Sequence, residues 1–145
     1  MRPGASGDVD ALARIVAEAF RPYETRMERK PAPMLTDFGE AVSYGSVWAA
    51  EHEGDIVGFV ICYPVGDEMH LETVAVAPAH QGKGVGRALI EHAEIEARQR
   101  KLGAVALYTN VRMTENLGLY AVLGYEETER RTEDGFDRVF FRKTI

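Results

Sequence analysis

With 145 residues, the chain is the size of one domain and long enough to bury a core without metals or disulfides. Its formal net charge of −6 argues against a general nucleic-acid binder, which would be basic. A lone cysteine, Cys62, excludes an internal disulfide, the N-terminus lacks the apolar core of a signal peptide, and no apolar run approaches the ~20 residues of a membrane span. The expectation is a single cytoplasmic domain over residues 1–145, with no membrane or nucleic-acid partner.

Asp8 reads as the N-cap of a first helix whose buried stripe is Leu12, Ile15, Val16, Ala19 and Phe20. Residues 21–30 suggest a short second helix, stopped by Pro31 and Pro33. Residues 46–51 and 55–63 are rich in Val, Ile and aromatics around His52-Glu53-Gly54, and predict a hairpin whose second strand ends at Pro64. A third strand follows over 69–76. The run QGKGVG (81–86) then leads into a long helix with Val85, Leu89, Ile90, Ala93 and Ala97 on its apolar face and Gly103 as its C-cap. Residues 104–109 read as a buried strand and 114–123 as a helix with Leu117, Tyr120 and Ala121 inward. Two strands, 125–130 and 138–143, close around the Asp134-Gly135 turn. The order predicts an α/β fold with a mixed, mostly antiparallel sheet and helices on its faces.

Cys62 lies in an apolar run and reads as an inert buried thiol. His52, His70, His80 and His92 show no metal-ligand spacing, so no metal is expected. The glycine turn is the notable feature. A helix N-terminus leaves four N–H groups unpaired and carries roughly half a positive charge. Glycines there let an anion approach the backbone, and Lys83 and Arg87 add charge at the rim. A phosphate or pyrophosphate suits such a turn. The run lacks the spacing of a P-loop, and Arg87 stands where a dinucleotide fingerprint needs its third glycine. On spacing alone, a connector with no ligand is an equal reading.

The stretch VAVAPAHQGKGVGRALIEHA resembles the signature of the GNAT superfamily of acyl-CoA-dependent N-acyltransferases: a strand, then Gln/Arg-x-x-Gly-x-Gly/Ala opening a helix. NLGLYAVLGY (116–125) resembles that family's second signature, an Asn, a Tyr four residues on, then Gly-Tyr. Both occur in family order, and the element order matches along nearly the whole chain, with the usual first strand reduced to about Arg2 and Pro3. The resemblance implies a GNAT-like fold with strands splayed around acetyl-CoA. It places the pyrophosphate on Gln81, Gly82, Lys83, Gly84, Val85, Gly86 and Arg87, and the pantetheine arm on the backbone of Val74, Ala75 and Val76, paired like an added strand. Asn116 matches a cofactor-contacting position. A homodimer is common in the family and stays open.

Acetyl transfer to an amine needs a base, an oxyanion donor and an acid for the leaving thiolate. A lysine-like amine, with a pKa of ~10.4, is only about one part in 10³ neutral at pH 7. The resemblance assigns the acid to Tyr120 and the oxyanion N–H to the strand near Val74. Period-2 alternation puts His70, Glu72, Val74 and Val76 on one face. Glu72 is the first candidate base and His70 the second, with a water chain as the alternative. Tyr120 as packing only, and Glu72 and His70 as mere decoration of the sheet, are the bland readings. His80 and His92 read as surface, Trp48 and Tyr108 as core. Tyr23, Arg26, Arg29 and Lys30 fall where the family builds its acceptor wall. Glu133, Asp134 and Phe136 could form the opposite wall, with an acidity suited to a cationic acceptor. The expected activity is acetyl transfer from acetyl-CoA to a small-molecule or peptide primary amine through a ternary complex. The competing reading is a catalytically silent CoA- or acyl-CoA-binding sensor or interaction module.

Overall fold

The apolar stripes of the first and third long helices need opposite faces of one sheet, and the chain supplies them. A computed structural model describes residues 1–24 and 32–145. The elements are β1 (Arg2–Pro3), α1 (Val9–Glu24), α2 (Phe38–Ser43), β2 (Val47–His52), β3 (Asp55–Val65), β4 (Glu68–Val76), α3 (Val85–Gln99), β5 (Ala104–Asn110), α4 (Thr114–Val122), β6 (Glu126–Glu133) and β7 (Phe136–Thr144). The seven strands form one sheet in the order β1-β2-β3-β4-β5-β7-β6. Every pair is antiparallel except β4 and β5.

Leu12, Ile15, Val16 and Phe20 of α1 and Phe38 of α2 pack with Val47, Phe59, Ile61 and Ala75 on one face. Leu89, Ile90, Ala93 and Ala97 of α3 and Tyr120 of α4 pack with Val60, Cys62, Met69, Leu71, Val105, Val139 and Phe141 on the other. At Gly58 the helix α3 packs close against the sheet. A Cβ there would lie 2.9 Å from the Ala75 carbonyl oxygen and 3.1 Å from side chains of Leu89 and Val85.

Four local expectations are corrected. Asp8 does not cap α1; its carboxylate takes the Ala5 N–H at 2.7 Å and a bidentate bond from Arg2. The second helix is not at 21–30: α1 runs on through Pro22, residues 25–31 lie outside the described residues, and α2 starts at Phe38 behind Asp37, whose side chain accepts the Glu40 N–H at 3.0 Å. Strand β3 passes through Pro64 to Val65, in register with β4. The left-handed residue closing α3 is Lys101 (φ 57°), not Gly103. Lys101 N–H bonds Arg98 O and Leu102 N–H bonds Ala97 O, a Schellman end built on a lysine.

Candidate active site

The site begins where the sheet comes apart. Strands β4 and β5 pair only at Glu68, Met69 and His70, opposite Ala104, Val105 and Ala106, and then separate. The edge β4 presents to the gap follows from its pairing with β3. Gly58 faces Val76, and the Ala77 N–H donates to Val57 O at 2.8 Å. Gly58–Val76 and Val60–Val74 are therefore non-hydrogen-bonded pairs, and the N–H and C=O of Val74 and Val76 point away from β3 into the gap. Among the described residues, no strand pairs with them. The Gln81 amide covers one group, donating from Nε2 to Val76 O at 3.0 Å.

A bulge sets the side chains here. Ile61 faces Thr73 while the next residue, Cys62, faces Leu71, leaving Glu72 as the extra residue. The bulge breaks the regular alternation expected for this strand. Met69 and Leu71 before it, and Val74 and Val76 after it, all pack on the α3 side. His70 lies opposite Tyr63 on the α1 side, so it does not share the face of Val74 and Val76.

Downstream, Gly82 (φ 77°) and Gly84 (φ 85°) adopt the left-handed conformation, and Gly84 is the N-cap of α3. The N–H groups of Val85, Gly86 and Arg87 open the helix, and Gly86 packs close enough to β4 that a Cβ would sit 3.6 Å from Val76. A cleft of about 510 Å³ joins this turn to the open edge. Its lining includes Val74, Ala75, Val76, Gln81, Gly82, Gly86, Asn116 and Tyr120. Lys83, Gly84, Val85 and Arg87 lie outside that lining. The Val85 side chain packs into the core, and the Arg87 guanidinium pairs with Glu91 at 3.0 Å.

A second cavity of about 200 Å³ meets the cleft at Phe20, Val74, Asn116 and Tyr120. Tyr120 is 6% exposed, its ring packed against Tyr125 and Phe141, and burial pushes its phenol well above the ordinary value. It therefore keeps its proton through the physiological range. Asn116 approaches Thr109 Oγ1 at 3.5 Å. Glu72 lines the second cavity and accepts a 3.1 Å bond from the Tyr63 hydroxyl. Burial first, then the Glu72 carboxylate, pushes the Tyr63 phenol up to about 12, so the hydroxyl stays a donor. His70 lines neither cavity. It is wedged between the rings of Tyr63 and Tyr108, and burial lowers its pKa.

Other expectations are redrawn. Tyr108 lines the second cavity rather than only the core. His92 is not a surface residue: its ring packs against Trp48, centroids 4.5 Å apart and tilted by 56°, with Nε2 buried. Phe136 lines the cavity, but Glu133 and Asp134 do not; they pair with Arg138 at 3.3 and 3.6 Å, and Glu133 also with Arg131. Arg26, Arg29, Lys30 and the Tyr23 side chain lie outside the described residues. Sequence reasoning missed Tyr63, Phe20 and Arg138, which sit in ordinary strand and helix patterns and carry no local signal.

A model of the acetyltransferase (GNAT) family matches residues 9–125. The probable N-acetyltransferase family 8 member 5 of Mus musculus is 32% identical over 97 residues, covering 63% of this chain and 43% of the mouse protein. The ribosomal protein bS18-alanine N-acetyltransferase of Escherichia coli strain K12 is 35% identical over 78 residues, 54% of this chain and 53% of that protein. The matched stretch thus spans about half the length of these curated relatives. Among solved structures, the PaiA N-acetyltransferase of Thermoplasma acidophilum, in complex with coenzyme A, superposes with a TM-score of 0.82 at 14% identity, over 99% of this chain and 97% of the other. The E. coli S18-alanine enzyme gives 0.73 at 23% identity, over 99% and 91%. These likenesses show a shared fold.

Proposed function

The chain belongs to the acetyltransferase (GNAT) family, and on that premise we propose that it moves an acetyl group from acetyl-CoA to a primary amine by direct attack in a ternary complex. The observation that carries this reading is the β4 edge at Val74 and Val76, with no strand paired to it among the described residues, sharing one cleft with the turn that opens α3. An amide-rich arm ending in a pyrophosphate has the chemistry of both halves. The N–H groups from Gly82 to Arg87 hold the pyrophosphate, with Lys83 at the rim. The backbone of Val74 and Val76 takes the pantetheine amides. Acetyl-CoA supplies an activated thioester.

The Val74 N–H faces the gap where an oxyanion would develop. Tyr120, buried and protonated at the junction of cleft and cavity, is the acid for the departing thiolate. Glu72, held by Tyr63, is the base on the acceptor side, directly or through water. His70 acts one layer behind, supporting Tyr63 and Tyr108 rather than touching the reactants.

Calorimetry with CoA, followed by a thiol-release screen across amine classes, tests the reading. Binding, turnover and intersecting initial-velocity lines are expected. Parallel lines with an isolable acetyl-enzyme would reject direct attack. CoA binding without turnover of any amine would favour a silent sensor, and absence of binding would remove the proposal altogether.

A further inference from the structure

The cavity beyond Tyr120 holds a cation in its wall. Arg138 lines it together with Glu72, Tyr108 and Phe136, and its side chain is only 9% exposed. The guanidinium lies 4.2 Å above the Tyr108 ring and 5.4 Å from the Phe136 ring, which fixes its plane. Its ion pairs are one-sided. Among the described residues, its hydrogen bond to a carboxylate comes from Nη1, to Glu133 Oε1 at 3.3 Å, and the ion pair to Asp134 is longer, Nη1 to Oδ2 at 3.6 Å. Both distances exceed the ~2.7–2.9 Å of a strong charge-assisted bond. Asp134 is 84% exposed, so water already screens much of its charge. Among the described residues, Nε and Nη2 have no acceptor. These two nitrogens form the parallel fork that arginine offers to a planar anion.

The geometry points to an acceptor that carries a carboxylate as well as its amine, with the carboxylate taken by the Nε–Nη2 edge of Arg138 and the amine directed toward Glu72 and Val74. This deepens the acetyltransfer reading and rests on it. It also reverses the cationic-acceptor expectation, because the hairpin's acidic groups face Arg138 and Arg131 rather than the cavity. A cavity of about 200 Å³ suits a compact molecule such as a free amino acid.

The test compares amino acids with their decarboxylated amines and their carboxamides as acceptors. The wild-type protein should favour the acids by about 10- to 100-fold in kcat/KM, the range expected of charge-assisted hydrogen bonds. In Arg138→Gln and Arg138→Lys the ratio of acid to decarboxylated amine should collapse toward one through KM, while the Kd for CoA holds. The lysine variant keeps the charge and loses the fork, so it separates fork recognition from simple attraction and guards against a glutamine variant that misfolds. Binding of the same acids to the protein–CoA complex, read by calorimetry, tests recognition without turnover. Equal rates for acid and amine, preference for the amine, or variants with an unchanged ratio would each overturn the inference, while intact CoA binding and turnover would leave the acetyltransfer reading standing.

Discussion

At Tyr120 the hydroxyl is one atom on a side chain that also packs two aromatic neighbours, so the two roles can be separated. Tyr120→Phe keeps the ring against Tyr125 and Phe141 and removes the proton. A fall in kcat of about 10²-fold or more is expected, with CoA affinity and Tm nearly unchanged. A drop in Tm with kcat intact would leave Tyr120 as packing only. Glu72→Gln removes the proposed base and keeps the side-chain volume. It should lower kcat about 10²-fold while leaving the KM for acetyl-CoA in place; loss of acetyl-CoA affinity instead would return Glu72 to a scaffold role. Tyr120 and Asn116 were legible because helical spacing carries a motif faithfully from chain to space. Glu72 lines the cavity and His70 does not, and neither fact follows from the shared face that the alternation predicts. Glu72 and Thr73 interrupt the polar–apolar alternation of HLETVAV, but it is the pairing with β3 that shows Glu72 bulged out. A bulge is a property of two strands, so one strand's pattern cannot announce it.

Among the elements, the hold of α3 on the C-terminal half depends on a buried charge that the helix's apolar pattern concealed. Glu94 is 5% exposed on the face otherwise lined by Leu89, Ile90, Ala93 and Ala97. It accepts from the Tyr125 hydroxyl at 2.9 Å and pairs with Lys143 at 3.1 Å, joining α3 to the end of α4 and to β7. Glu94→Ala would leave a phenol and an ammonium without their acceptor. A loss of about 2 kcal/mol is expected, lowering Tm by roughly 4–8 °C. Unchanged stability would mean that Lys143, 27% exposed, simply turns to water. Most elements were readable because hydrophobic period and turn residues agreed. The second helix was misplaced, although Asp37 with Glu40 three residues on is an N-terminal signature that the sequence carries. Pro64 misled because proline stops a strand only where its missing N–H is needed.

For the molecule as a whole, two histidines govern its response to mild acid. Burial lowers the pKa of both His70 and His92 below the ordinary value of 6.5; for His92 the Glu96 carboxylate at 3.6 Å works against this and the N-terminal ammonium works with it. In the folded state both rings resist protonation, whereas unfolded histidines take up protons as pH falls through about 6.5. The unfolded state then binds more protons, so stability present above 6.5 is lost as pH falls toward the folded values. Tm should stay flat from pH 8 to 7 and decline below 6.5. The double variant His70→Gln, His92→Gln should flatten that decline; an equal slope would show that other groups cause it. Asp8, held low first by its hydrogen bond from Arg2, adds its own loss only below its ordinary value of 3.8.

The separation of β4 from β5 has a further consequence for the empty protein. Edge strands are commonly guarded by charge or proline, and β6, exposed along nearly all of its charged length, is guarded in this way. The inner margin left at Val74 and Val76 carries neither safeguard, and an added extended segment could pair there. Occupancy by the acyl carrier would then cover that margin as well as feed the protein's chemistry.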